Sequence, residues 1–362
     1  MQLNTIKRAA LPLACALVAG AACAENNVSF YGRANVSVES QKLGGTTNTV
    51  LVDNASRFGI RASHDLPDNM SVGMVLEAGT NLTNGATKSE GVALNNADGT
   101  IAGLSSSGGG SRLFAREASV ALNGGFGQIK LGRMPASVAY FATADFVSNH
   151  NHDTGTSSDA LYDFLATGQL SNAIGYASPE INGIKFEGQY GLKKGQGTGT
   201  TDSAVVNPAA LALNYGKGPL MLGLGYERAQ NPVLAASNAS TTEAASQVAA
   251  RVFYTMGALG FGGYIQKSSG TQFDRSAYRL SAMYTVGKNE FHLNVGAAGN
   301  RNSVANTGAK QATLGYNFNL DKQTKLYAFY TKINQDSATK AYAGGAQGDA
   351  FSSLGMGIRY NF

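Results

Sequence analysis

The sequence predicts an all-β protein in which sixteen antiparallel strands close into a transmembrane barrel. Three observations lead there. Apolar and polar residues alternate with period two along segments of about ten residues, short turns alternate with long polar loops, and glycine outnumbers proline by 46 to 7. Such a glycine excess opposes long helices, where each interior glycine costs about 1 kcal/mol relative to alanine. Charged residues make up 14% of the 362-residue chain, with two cysteines and no tryptophan. That is too little charge for a disordered polyelectrolyte or a long coiled coil, and too few thiols for a disulfide scaffold or a multi-cysteine zinc protein.

The chain opens on an export segment. Lys7 and Arg8 precede a small and apolar run over residues 9–22, and Ala22-Cys23-Ala24 supplies the small-x-small cleavage site of a signal peptide. The run falls short of the ~20 residues that a membrane-spanning helix needs. Cleavage after Ala24 divides the chain into a leader, 1–24, and a barrel domain, 25–362. Both cysteines, Cys15 and Cys23, leave with the leader, and so do Lys7 and Arg8, taking the formal charge from +5 to +3.

The first strand, 28–40, puts Ser29, Tyr31, Arg33, Asn35, Ser37 and Glu39 on one face and Val28, Phe30, Gly32, Ala34, Val36 and Val38 on the other. The pattern recurs at 56–64, 70–82, 113–123, 128–133, 171–178, 184–193, 209–215, 220–228, 247–255, 259–267, 276–286, 290–300, 311–319, 325–334 and 352–362. The fifteenth segment is the least regular, with Tyr327 and Phe329 on one face and Leu326 and Tyr330 on the other. Links at 65–69, 216–219, 256–258 and 287–289 carry the residues of tight hairpin turns. Long polar insertions are expected at 41–54, 83–112, 134–170, 194–208, 229–246, 301–310 and 335–351. The polar face bears small residues and charges, including Arg33, Arg57, Arg61, Lys130, Lys185, Arg279 and Arg359, which would fill the core of a soluble sandwich badly. In hydrocarbon, only a closed sheet leaves no unpaired backbone edge. Tyr215, Tyr226, Tyr254, Tyr284 and Tyr360 fall at outward strand ends, as an interfacial aromatic girdle requires.

The segments Val28-Ser29-Phe30-Tyr31-Gly32-Arg33-Ala34, Ser56-Arg57-Phe58-Gly59-Ile60-Arg61 with Asp65-Leu66, Phe126-Gly127-Gln128-Ile129-Lys130-Leu131-Gly132-Arg133 and Gly357-Ile358-Arg359-Tyr360-Asn361-Phe362 resemble the Gram-negative general porins, especially those of β-proteobacteria and Neisseria. The resemblance runs the whole length after the leader. It implies a homotrimer in the outer membrane, among lipid and lipopolysaccharide, through which ions and small hydrophilic solutes diffuse passively. It implies that Phe362 resembles the signal read by the outer-membrane assembly machinery, and that the 83–112 loop latches onto a neighbouring subunit.

The resemblance further implies that the 134–170 loop folds inward to form a constriction. There its Asp145, Asp153, Asp159 and Asp163 would face a basic wall of Arg33, Arg57, Arg61, Arg116 and Arg133. Opposed charges across a narrow, wet gap order water and polar solutes, and the excess sign sets ion preference; a basic wall gives a mild anion preference. Simple alternation groups Arg116 with Ala118, Val120 and Leu122, and Arg133 with Ile129 and Leu131; a bulge at Gly132 would turn Arg133 inward. Where many relatives carry an arginine before the tyrosine of the sixth strand, this chain has Gly175 before Tyr176. That loss is expected to widen the constriction and weaken the anion preference.

Other classes are less well supplied. A solute-specific channel of the same fold, for phosphate, an organic acid or a sugar, remains open, although no ladder of aromatics marks a sugar path. An outer-membrane barrel hydrolase would need a nucleophile and base, and His64, His150, His152 and His292 sit in no such motif, so no enzyme activity and no cofactor are expected. His150-Asn151-His152-Asp153 offers metal-ligand types, but a solvated loop is the simpler reading and no metal is expected. The basic residues alternate along strands without forming an exposed stripe, so nucleic acid is not an expected partner.

Overall fold

A computed structural model describes residues 26–88, 113–135, 137–147, 159–165, 170–192, 206–231, 233–234 and 243–362. The leader, most of the 83–112 loop, His150, His152 and Asp153 lie outside the described residues.

Sixteen strands form one ring. β1 is Asn26–Leu43; β2 comes in two pieces, Thr46–Asp53 and Arg57–Leu66; β3 is Met70–Thr80, β4 Glu117–Gly124, β5 Gly127–Arg133, β6 Ala173–Ala177, β7 Ile184–Gly191 and β8 Ala209–Lys217. β9 is Leu220–Gln230, β10 Ala244–Met256, β11 Leu259–Ser269, β12 Arg275–Val286, β13 Asn289–Ala298, β14 Ala309–Asn319, β15 Thr324–Gln335 and β16 Phe351–Asn361. A two-residue rung, Thr87–Lys88, pairs beside β3. Each strand pairs antiparallel with the next, and β16 pairs with β1 from Arg33↔Asn361 to Leu43↔Phe351, which closes the sheet.

One expected insertion proves to be strand. Residues 41–54 continue the β1–β2 hairpin, paired from Val36↔Asp53 to Leu43↔Thr46. The β-branched Thr46, Thr47, Thr49, Val50 and Val52 favour the extended backbone, and Gly44 turns the chain at φ 56°. The two pieces of β2 are separated by a bulge: Asn54, Ala55 and Ser56 occupy the place of two β1 residues. Ala55 takes φ 59° there, and Asn35 holds the bulge by donating to the Asn54 carbonyl at 2.9 Å and receiving Asn54 and Ser56 into one network with Ser37 and Tyr327.

Alternation sorts the two faces as expected. Leu131, Leu224, Ile265, Leu280, Leu314, Leu354 and Met356 stand exposed on the outer face, where hydrocarbon replaces water. Tyr254, Tyr284 and Tyr360 are exposed near the short-turn end, Tyr226 stands higher and Tyr215 is half-buried. Neighbouring rings meet as Tyr254–Phe261 at 5.9 Å and Phe291–Tyr316 at 5.2 Å. The irregular fifteenth strand resolves the same way. Tyr327 and Phe329 turn inward and lie flat over Gly357 and Gly355 of β16, while Leu326 and Tyr330 face out. Each glycine leaves a trough for the ring beside it.

The seam closes at its lower end through Gly32 and Phe362. Gly32 donates to the Phe362 carbonyl at 2.9 Å, Phe362 donates back at 3.1 Å, and the terminal ring covers Gly32, its centroid 5.8 Å from that of Phe30.

The described residues of the 134–170 loop lie inside the barrel. Ser137 caps a short helix, α1, Val138–Thr143, by accepting from the Ala139 and Tyr140 amides. Ala139, Ala142 and Thr143 form its buried face, as positions three and four apart must on a helix. That face rests on Gly223 and Gly225 of β9. These glycines point inward, because Leu222, Leu224 and Tyr226 between and beside them point to lipid. A Cβ on Gly223 would lie 1.9 Å from the Ala142 carbonyl oxygen, and one on Gly225 2.9 Å from the Ala139 Cβ, so the helix seats only on a strand without side chains there.

Two outcomes follow from these close approaches. Gly32→Val would push into the Phe362 ring and the Arg57 carbonyl and is expected to destabilise the barrel by about 1–3 kcal/mol, read as a lower urea midpoint by circular dichroism in detergent. Gly223→Val is expected to leave the barrel folded and dislodge α1, read as a changed single-channel conductance with an unchanged strand spectrum.

Candidate functional site

The lumen wall formed by β1 to β5 with β15 and β16 is basic. Arg33 and Arg57 are direct cross-strand partners, and Arg359 faces Asn35 on the other side of β1. Lys325 of β15 is the cross-strand partner of Arg359. Arg33 and Arg57 each fall within Coulomb range of Arg116 and Arg359. Glu77 of β3 sits among them. Its carboxylate accepts from Arg116 Nε at 2.6 Å and from the Tyr31 hydroxyl at 2.8 Å, with Arg57 Nε 3.9 Å away. The Arg61 guanidinium lies 3.6 Å from the centre of the Tyr31 ring. Lys130 pairs with Glu117 at 2.9 Å, and Lys325 lies 3.9 Å from Glu290.

Arg116 reaches this cluster against the parity of its neighbours, because it precedes β4 in a bend where alternation has not begun. Arg133 belongs elsewhere. Gly132 takes φ 126°, yet the pairing runs through it one to one, Ser119↔Gly132 and Ala118↔Arg133, so the expected bulge is not formed; the Arg133 guanidinium is held by the Ala115 carbonyl and the Ser171 hydroxyl, each at 2.5 Å, where it ties loop ends together.

The loop aspartates meet a second set of arginines. Asp145 and Asp159 both pair with Arg279 of β12, at 2.8 and 3.0 Å, all three side chains 1% exposed. Tyr264 of β11 also donates to Asp159. Asp163 pairs with Arg275 at 2.6 Å and Arg301 at 2.9 Å, and accepts from Ser268 at 2.8 Å. Burial alone would raise the Asp163 carboxyl, yet the charges of Arg275 and Arg301 outweigh it and hold the group below the ordinary carboxylate range. Gln266 clamps the Asp163 backbone at both its amide and its carbonyl, 2.8 Å each, and Gln311 accepts from the Ala160 amide at 2.9 Å. Arg251 of β10 donates to the Phe141 and Ala144 carbonyls. The three described aspartates are thus spent in fastening the loop to the β10–β14 wall. Alternation puts Arg279 on the polar face, but no motif singles out Arg251 or Arg275, and sequence carries no sign of which loop carboxylate each arginine would meet.

Gly175 faces inward on β6, and an added Cβ would meet the Met134 Cε at 3.4 Å, an ordinary van der Waals contact. Met134 itself packs with Leu165, Leu170, Ala173 and Phe273. The inner face at Gly175 is therefore bordered by an apolar cluster under the loop.

The geometry is that of a closed barrel narrowed by a loop pinned to one wall and facing a basic one. The Gram-negative porin family profile matches residues 9–338 of the chain. Outer membrane porin protein 32 of Delftia acidovorans is 26% identical over 388 aligned positions, covering 99% of this chain and 100% of that protein. Among solved structures, an anion-selective porin from Comamonas acidovorans superposes with a TM-score of 0.71 at 23% identity, over 93% of this chain and 100% of that one. Salmonella typhi OmpF in complex with daunomycin superposes with a TM-score of 0.67 at 14% identity, over 93% of this chain and 98% of that one. The chain belongs to the Gram-negative porin family and is an outer-membrane β-barrel channel.

Proposed function

We propose that the channel passes small hydrophilic solutes with a mild preference for anions, set by the basic wall. One observation carries this reading: the negative charge of the loop's described aspartates is taken up by arginines of their own and does not offset the wall. Asp145, Asp159 and Asp163 are matched by Arg279, Arg275 and Arg301. On the opposite side Arg33, Arg57, Arg116, Lys130, Lys325 and Arg359 lie around Glu77, Glu117 and Glu290, Arg61 lies on the Tyr31 ring, and Glu39 is the further inward carboxylate of β1. The excess of cations there raises the local concentration of anions. The name of the Comamonas relative, an anion-selective porin, agrees with this reading.

The same proposal extends to assembly. Gly32, Ala34 and Ala62 leave the outer face of the first strands shallow, which suits the interface of a homotrimer. Phe362, at the seam, is in the position of an assembly signal for the outer-membrane machinery, and lipopolysaccharide would surround the remaining outer face.

In a potassium chloride gradient, the reversal potential is expected to show weak anion selectivity, and cation selectivity would overturn the reading. Arg33→Gln with Arg57→Gln should lower the chloride-to-potassium permeability ratio severalfold, the order expected if a charge about 4 Å from the ion path is worth about 1 kcal/mol in water. The loop fastening has its own pH signature. Because the folded Asp163 carboxyl lies below its ordinary value, its contribution is complete above that value and is lost as pH falls through the lowered one. Conductance should therefore hold from pH 7 to about pH 4, the ordinary range of an aspartate, and change only below it. A loop rearrangement between pH 7 and 5 would contradict this assignment.

A further inference from the structure

The buried face of α1, formed by Ala139, Ala142 and Thr143, fixes where the rest of the helix points. At 100° per residue, Phe141 lies opposite that face, away from β9 and toward the channel. It is 48% exposed, although it belongs to a loop whose described residues are otherwise largely buried. Beside it Tyr140 meets Phe141 at 5.6 Å and Phe164 at 5.0 Å, and Phe164 meets Tyr162 at 5.2 Å, so Phe141 is the exposed member of an aromatic patch. Packing does not require a phenylalanine at that position, since the alanines already fill the seat on Gly223 and Gly225.

What faces it is the basic wall. β9 is eight strands from β1 in a ring of sixteen, so the two are diametrically opposed. Gly225 is at the middle of β9 and Arg33 near the middle of β1. A solute passing between them meets an apolar ring face on one side and guanidinium groups on the other. We propose that this gap is a subsite for amphipathic anions, carboxylates attached to a flat apolar body, with Phe141 as the residue that selects the body and the arginine wall as the part that takes the carboxylate. Small inorganic anions satisfy only the wall and pass without stacking. The proposal rests on the anion preference argued above and adds a solute class to it.

Benzoate and acetate, equal in charge, are the probes. Each is added to wild-type channels carrying chloride current in a planar bilayer, and the concentration that halves the current is compared. Benzoate is expected to act at a concentration roughly fivefold lower than acetate, the order of one aromatic contact. Phe141→Ser should bring the ratio close to one, and Phe141→Tyr, which keeps the ring, should preserve it. Equal potency of the two anions on the wild-type channel would overturn the proposal without any variant, and so would a ratio that survives Phe141→Ser. The potassium chloride reversal potential of the wild type reads the anion preference separately, so a cation-selective pore would remove that reading while the benzoate comparison still decides this one.

Discussion

Every part of this molecule depends on the requirement that backbone amides and carbonyls in hydrocarbon find partners within the protein. An unpaired group there costs several kcal/mol, so the sheet closes from β1 to β16. Closure fixes the rest. It produces one face turned to lipid and one to water on every strand, which is why the outer side chains are mainly Leu, Ile, Val and aromatic and the inner face gathers the charged and polar ones, with glycine and alanine where a ring or the loop packs against it. It also creates the lumen in which a loop can be pinned, because only the inside of a ring offers a wall on every side.

Inside that lumen, charge is used in two ways. Arg279 with Asp145 and Asp159 is dry and compact, and with Arg275 and Arg301 on Asp163 the three described aspartates stand against three arginines. In such a place, removing one partner strands the other in a low dielectric, so these groups hold structure and contribute little field to the water. The Glu77 cluster is wetter and unbalanced: several arginines surround one carboxylate, and Arg61 leans on a tyrosine ring. The sign of the channel is set by the second kind, and the position of the loop by the first.

Strand faces were legible in the sequence because side-chain direction in an extended chain alternates without exception, and that is how Arg33, Arg57, Arg61, Arg279 and Arg359 could be placed in the lumen. Legibility failed where the backbone stops being extended. Arg116 sits in a bend and turns against its parity, while Arg133 ends β5, where its guanidinium goes to the Ala115 carbonyl and the Ser171 hydroxyl. The 41–54 segment looked like a loop because its residues are polar, yet β-branching at Thr46, Thr47 and Thr49 made it a hairpin. The partners of the loop aspartates were not legible at all. Nothing local in Asp159 announces Arg279 and Tyr264, since those contacts are made by the ring as a whole. The aromatic patch was hidden for the same reason: Phe141 and Phe164 form no ladder along a strand and meet only when the loop folds.

The seam between Gly32 and Phe362 has a consequence for time. Arg33 and Asn361, bonded across it, are 328 positions apart, so the first strand cannot be completed until the last one exists. Contacts of such separation add little to the entropy of closure, which grows only logarithmically with length, but they slow folding, because long loops must be ordered before the contact rewards them. Until then β1 presents an open edge, a template for pairing with a wrong strand or another chain. The glycine that lets a terminal ring lie against β1 thus marks the contact that waits for nearly the whole length of the chain.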